Sequence, residues 1–366
     1  MKKRLAIWLH GGIGTGHFAQ GVPMLEKLLN GLAETSDLVI YSHCAPNKEF
    51  RSSRFVFKTA PRSVTSGILR WLYLIAYFLI DNFKNRFQVI FSFWGYPSGI
   101  IVVVLGKLLN RPSVIFLLGA DAAGIPSIDY GILHKKCKKE IAFWTYRRAS
   151  CLLCISKFQV DQLKKYGFYH PINVIPWGAD LSLHRFKQRS GHSLLNIIHV
   201  GYYTPVKDQM TLLMAFAMII RECPAKLKIL GIDRCDDIQK KCIELGIDQH
   251  VELAGIIPYN QMPIHYDWAD IMLHTSMSEG QCGALTEAAA SGVLMAGTNV
   301  GLLYDLSEDY GIKVAVGDFK DLAMKVISIV HDEQAWNEKI SNARMWSEKH
   351  DLFWTINELN AAIHAL

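Results

Sequence analysis

The chain has 366 residues, half of them hydrophobic and a fifth charged, with a net charge of +6. That composition excludes a disordered or low-complexity chain, and the length suits two domains better than one core. The charge is split: residues 1–190 hold 26 Lys+Arg against 10 Asp+Glu, and residues 191–366 hold 13 against 23. The first half therefore suits an anionic partner, an acidic membrane surface or nucleic acid, unless its basic face is merely solvated.

In chain order, MKKRLAIWLHGG places only six residues between the basic trio and the first Gly pair. That is short of the ~7–15 apolar residues of a secretory signal, so a first strand over Leu5–Leu9 is expected. The loop HGGIGTGHFAQG follows, with His17 opening the next helix. Gly14, Gly16 and Ala19 satisfy G-x-G-x-x-A, the weak fingerprint of a dinucleotide site. A second strand at Leu38–Tyr41 leads to Ser42, His43 and Cys44 rather than to the carboxylate a ribose diol needs, which counts against a dinucleotide oxidoreductase. What remains is a loop in which Gly12, Gly14, Thr15 and Gly16 could meet a phosphate or sugar, with His17 either beside an acceptor or leaving group or serving a structural role at the helix start.

The segment Gly67–Ile80 (GILRWLYLIAYFLI) is apolar nearly all round. A buried helix is the default; its aromatics and the nearby Arg51, Arg54, Lys58 and Arg62 also allow an interfacial membrane helix. The uncharged run Val89–Gly106 carries Gly95, Pro97, Ser98 and Gly99, so strand–turn–helix is expected rather than a transmembrane span. Further strands fall at Ser113–Leu117, Cys151–Ile155 and Asn173–Ile175. Cys151 and Cys154 read as buried thiols, since no second cluster accompanies them. Reduced cysteines throughout fit the cytoplasm. The polar run Arg185–Ser193 is the expected linker, dividing a domain at 1–188 from one at 189–350, with a helix at about 351–366 returning to the first.

The second half repeats the alternation, with strands at Asn196–Val200, Lys226–Leu230, Val251–Leu253, Ile271–His274, Val293–Ala296 and Ile312–Val316. Two parallel α/β domains imply a cleft, with ligands beyond the carboxyl ends of the strands. Lys207 stands just before a helix, where a solvated lysine is the default; because a cation there opposes the dipole, a phosphate ligand is the competing reading. In SMSEGQCGALTEAAASGV, Glu279 precedes a helix start and Glu287 lies one turn inside. Two acids beside a helix N-terminus suit a ligand anionic at one end and rich in hydroxyls at the other.

VGYYTPVKDQMTLLMAFA, SMSEGQCGALTEAAASGVLMAGTNVG, CISKFQVDQLKKYG with VIPWGAD, and ELAGIIPYNQMPIHYDWADIMLHTS together resemble glycosyltransferase family 4, the retaining group 1 enzymes. The resemblance covers most of the chain. It implies a GT-B fold: two Rossmann-like α/β domains with parallel sheets facing across a cleft, the first acceptor-side and the second donor-binding. It implies transfer of a sugar from a nucleoside diphosphate to a hydroxyl of a glycan or lipid-linked saccharide, in cell-surface polysaccharide synthesis, with no cofactor and no metal. Lys207 would balance the diphosphate, Glu279 would contact the donor sugar and Glu287 the ribose hydroxyls. The N–H groups of Gln281, Cys282, Gly283 and Ala284 would face the sugar and distal phosphate, with Gly231 and Ile257 nearby. Asp121 is a further cleft residue. The chain departs from the family at Tyr202, where an arginine is usual, at Cys282 in place of a glycine, and at Leu118 in place of a histidine. A non-catalytic sugar-nucleotide binder and a GT-B epimerase or phosphorylase are the alternatives. The expected setting is the cytoplasm, peripheral on the inner membrane face, and no nucleic-acid module supports binding to nucleic acid.

Overall fold

The computed structural model describes residues 2–48, 50–189 and 193–366, which form two compact units. The first runs to Ile155 and adds Gln159–Pro176 and Phe353–Leu366; the second comprises Ser156–Phe158 and Trp177–Leu352.

In the first unit the strands are β1 (Lys3–Leu9), β2 (Ser36–Ser42), β3 (Val56–Lys58), β4 (Val89–Phe93), β5 (Ser113–Leu117), β6 (Gly124–Ile125), β7 (Tyr130–Gly131), β8 (Cys151–Cys154) and β9 (Asn173–Val174). Seven of them form a parallel sheet in the order β3-β2-β1-β4-β5-β8-β9, and β6 and β7 pair as a small antiparallel hairpin. Strands β4 and β5 are buried at every residue, as a parallel sheet covered on both faces requires, so apart from Ser92 and Ser113 they read as apolar runs. Cys151 and Cys154 are free thiols three residues apart on β8, so they point to opposite faces of the sheet.

The second unit holds β10 (Leu195–Val200), β11 (Ala225–Leu230), β12 (Val251–Gly255), β13 (Ile271–His274), β14 (Leu294–Thr298) and β15 (Ile312–Val314). These form one parallel sheet in the order β12-β11-β10-β13-β14-β15. Phe216, Trp336, Ile197 and Leu273 anchor the core on one of its faces; Met272, Leu285 and Tyr266 belong to the cluster on the other. In each sheet the strand order reverses beside the first strand, between β1 and β4 and between β10 and β13. Neighbouring loops diverge there, at the carboxyl ends, and leave a crevice.

One crossing between the units lies between Pro176 and Trp177; of the linker expected at 185–193, residues 190–192 lie outside the described residues. Arg189 within that run is buried, and its guanidinium donates to the carbonyls of Lys187, Ser291, Gly292 and Tyr266 at 2.6–2.9 Å. His17 does not open a helix. It sits in a single 3-10 turn, followed by Phe18 and Ala19 at positive φ, and the helix begins at Pro23, whose fixed φ suits a first helical position. Finally, the helix Gly67–Lys84 is not a core helix, because Leu74 and Phe78 alone among its residues are fully buried.

The helix Leu352–His364 completes the first unit. Thr35 Oγ1 donates to Asn360 Oδ1 at 2.9 Å and Lys3 Nζ to the Ile363 carbonyl at 3.2 Å. Ile356 lies against Gly31, where an added Cβ would sit 2.3 Å from its Cδ1.

Candidate functional site

The loops leaving β10 and β13, on either side of the second unit's switch point, bring Lys207 and Glu279 together. The β10 loop closes in a 3-10 turn, Pro205–Lys207, and Asp208 at φ 46 caps the helix Gln209–Glu222 by accepting from Thr211 N. Thr275 Oγ1 donates to the carbonyls of Lys207 and Asp208 at 3.1 and 3.0 Å, and Met277 N donates to Val206 O at 2.7 Å. These cross-links fix the backbone beneath both side chains. Lys207 Nζ then lies 2.6 Å from Glu279 Oε1, which also accepts from Ser276 Oγ at 2.7 Å and lies 3.7 Å from His274 Nε2.

The charge states follow from burial. His274 is fully buried and its pKa is lowered to about 3, so at pH 7 the ring is neutral. His199, also fully buried and lowered to about 4, is neutral too; its Nδ1 lies 2.9 Å from Leu273 O. Burial alone would raise the Glu279 pKa, but the Lys207 ammonium, together with His274 and the Ser276 hydroxyl, holds the carboxyl below its ordinary value. An ionised acid and an ammonium thus sit on two neutral imidazoles.

Cys282 occupies φ +76 just before the helix Gly283–Ala290, which explains physically why a glycine suits this position. Its thiol is buried 3.7 Å from His274 Nδ1, and burial pushes its pKa up to about 12. Gly283 and Ala284 begin the helix, so their N–H groups have no intrahelical acceptor. An added Cβ at Gly283 would meet open space. The Gln281 side chain is turned inward: it accepts from Trp177 N at 2.7 Å and donates to Trp177 O at 2.9 Å and Thr286 Oγ1 at 3.1 Å. Glu287 is buried; Oε2 accepts from Tyr266 OH at 2.8 Å, and His184 Nε2 is 4.0 Å from Oε1. Burial and then the Glu287 charge raise the pKa of Tyr259 and Tyr266, which keeps both phenols as donors. Gly231, at φ +93, lets β11 end close against Gly201, whose carbonyl would lie 2.8 Å from an added Cβ. Tyr202 is exposed on the same loop as Lys207, and Ile257 packs at the edge of the Met272–Leu285 cluster.

In the first unit the loop after β1 is a run of left-handed glycines, with Gly12, Gly14 and Gly16 at φ 96, 60 and 71. The carbonyls of Gly12, Gly14 and Thr15 accept from Val22 N, Asn47 N and Gly21 N at 2.6–2.8 Å. The loop thereby turns its carbonyls toward protein. Asp121 is buried and points into the fold: its carboxylate accepts from Gly95 N, Gly119 N and Leu118 N at 2.8, 2.9 and 3.3 Å. It braces the ends of β4 and β5, and burial raises its pKa against those amides.

Among the described residues two donor groups have metal-like spacing, His10/His43/Cys44 and His274/Glu279/Cys282, each with ligand atoms within 4.8 Å. The His10 and His43 rings stack 13° from parallel, so their in-plane lone pairs do not converge on one point. In the second group the Lys207 ammonium already occupies the carboxylate.

Sequence reasoning singled out Lys207, Glu279 and Glu287 but missed their surroundings: His199, His274, Ser276, Tyr259, Tyr266 and His184. A signal existed for two of them. His199 in NIIHV and His274 in IMLH are polar residues, themselves fully buried, at the ends of apolar strand runs.

Residues 24–183 match the family described as Glycosyltransferase Family 4, and residues 182–346 match Glycosyl transferases group 1. Over 146 residues the chain is 29% identical to human GDP-Man:Man(3)GlcNAc(2)-PP-Dol alpha-1,2-mannosyltransferase, spanning 36% of this chain and 29% of that protein. The fold is similar to that of sucrose-phosphate synthase from Thermosynechococcus elongatus, with a TM-score of 0.81 at 16% identity over 100% of this chain and 99% of that one. It is also similar to Anabaena Alr3699/HepE in complex with UDP-glucose, with a TM-score of 0.74 at 16% identity over 99% and 100% of the two chains. Between them the two family matches span residues 24–346, and the chain belongs to glycosyltransferase family 4, on the GT-B fold.

Proposed function

We propose that the chain is a retaining hexosyltransferase. It moves a sugar from a nucleoside diphosphate to a hydroxyl of a glycan or lipid-linked saccharide, in the synthesis of a cell-surface polysaccharide. The observation that carries this reading is the Lys207–Glu279 pair, 2.6 Å apart at the carboxyl ends of the two strands flanking a switch point. The relative that uses GDP-mannose and the neighbour holding UDP-glucose favour a GDP- or UDP-hexose as donor.

In this reading the Lys207 ammonium turns from Glu279 to the diphosphate as the donor binds. It then stabilises the negative charge that grows on the leaving phosphate, aided by the first N–H groups of the helix Gly283–Ala290. The three polar contacts on Glu279 fall on Oε1, which leaves Oε2 to accept from hydroxyls of the sugar. Glu287, steadied by Tyr266, accepts from the ribose diol. The leaving diphosphate takes the acceptor's proton on the face from which the acceptor attacks, so configuration is retained and no protein nucleophile is required. Catalysis rests on charge stabilisation and positioning, without a cofactor.

The experiment is a thermal-shift titration with UDP-glucose, GDP-mannose and ADP-glucose, followed by product analysis with the best binder. One donor should raise Tm, and Lys207→Ala should lower turnover at least ~100-fold while remaining folded. Three donors without effect, or a Lys207→Ala enzyme at wild-type rate, would end this reading.

A further inference from the structure

The helix Gly67–Lys84 has its polarity turned inside out. At about 100° per residue, Ile68, Leu69, Leu72, Tyr73, Ala76, Leu79, Ile80 and Phe83 fall within an arc of roughly 140°. Every one of them is exposed, Ile68 at 75% and Phe83 at 93%. Arg70 and Asp81 take the other side: Arg70 donates to the carbonyls of His43 and Val64, and Asp81 pairs with Lys58 at 2.6 Å and accepts from Tyr41 OH. A solvent-facing helix normally shows the opposite arrangement.

The apolar surface does not end with this helix. Leu74 and Phe78 pack with Val102 and Leu105 of the helix Ser98–Leu109, which is in turn in contact with the helix Lys136–Tyr146. These add exposed Val104, Leu108, Ile141 and Trp144. All three helices run antiparallel to the strands, so they end at the edge where the strands begin. That edge is cationic, with exposed Lys84, Arg86, Lys107 and Arg148. A cavity of about 470 Å³ opens there, lined by Lys107, Asn110, Arg111, Ser113, Arg148 and Ser150. Among the described residues none of its three cations is paired with a carboxylate.

We infer that this three-helix face of the first unit docks on an anionic phospholipid surface, its apolar stripe entering the acyl boundary and its basic cavity holding a lipid headgroup phosphate. Charge complementarity selects this occupant. A second copy of the chain would bring the same cations together, whereas an acidic bilayer meets them at its surface while receiving Phe83 and Ile80. Among the described residues no helix is long and apolar enough to cross a membrane, so attachment is interfacial. The inference is independent of the sugar transferred.

The test is co-sedimentation of the full chain with vesicles of equal parts phosphatidylglycerol and phosphatidylcholine, and with phosphatidylcholine alone, at low and high salt. Binding should be about tenfold or more stronger on the anionic vesicles and should weaken with salt. Ile80→Glu with Phe83→Glu, both exposed and so without effect on Tm or donor binding, should cut it about tenfold. Arg111→Glu with Arg148→Glu should reduce it to the neutral-vesicle level. Soluble glycerol phosphate, which lacks an acyl chain for the apolar stripe, should bind at least about tenfold more weakly than the anionic vesicles; equal affinity would make the cavity a site for a free phosphate ester and overturn the inference. Wild-type protein left in the supernatant, equal binding to both vesicles, or wild-type binding by the Ile80/Phe83 variant would also overturn it. So would self-association in sedimentation velocity that those substitutions abolish.

Discussion

Replacing Lys207 by methionine keeps the length of the side chain and removes its charge. The two partners are 20% and 15% exposed, and Glu279 would be left with one hydroxyl, Ser276 Oγ, and a neutral imidazole 3.7 Å away. Removing one member of a fully buried ion pair costs ~3–5 kcal/mol. The residual exposure and the Ser276 bond reduce that here to about 2–3 kcal/mol. Adding Glu279→Gln removes the stranded charge, so the double variant should be more stable than the sum of the single losses by ~1–2 kcal/mol. The pH dependence has a definite sign. The folded pKa of Glu279 is depressed, so its contribution is present above its unfolded value of 4.5 and is lost as pH falls through the folded value. In Lys207→Met that carboxyl titrates higher, so the gap between variant and wild type should narrow in acid. Urea unfolding of wild type, both single variants and the double variant, at neutral pH and near about pH 4, reads all of this. A Lys207→Met protein as stable as wild type at neutral pH, or strict additivity in the double variant, would refute the argument.

Three further outcomes follow from the same geometry. Cys282→Val puts a β-branched residue at φ +76 and should cost about 2 kcal/mol or more, whereas Cys282→Gly should be nearly neutral because relieved strain offsets lost packing; unfolding midpoints compare them. Burial depresses the folded pKa of His274 and His199 to about 3 and about 4, so below pH 6.5 the unfolded chain binds more protons and stability declines with acid. By about pH 5 each should have cost ~2 kcal/mol, and a His274→Gln variant should show a shallower decline in its urea midpoint. Arg189→Met leaves four carbonyls short of a donor in a buried site and should cost about 3 kcal/mol or more, read as a fall in Tm.

The sheets were legible because their strands are buried on both faces. Runs such as Val89–Phe93 and Ile271–His274 are apolar but for Ser92 and His274, and the structure places strands within a residue or two of those expected. The weak strand β3 (VFK) and the hairpin of β6 and β7 carry too few residues to signal. Lys207 and Glu279 were legible as charges at helix starts. Their contact was not, since it depends on strand order: β10 and β13 are 70 residues apart in sequence but adjacent in the sheet. The helix 67–84 shows the limit most clearly. Composition gave its apolarity, but which side faced solvent was decided by two charged residues turning inward.

The first unit is closed by a helix that the ribosome makes only after the whole second unit. Gly31 and Thr35 wait for Ile356 and Asn360, with an entire α/β lobe synthesised in between. During translation the groove beside the helix Pro23–Thr35 therefore stays uncovered while the later lobe emerges. Cutting the gene after Pro176 should give an aggregating fragment, and fusing 353–366 onto that fragment through a short linker should restore its solubility.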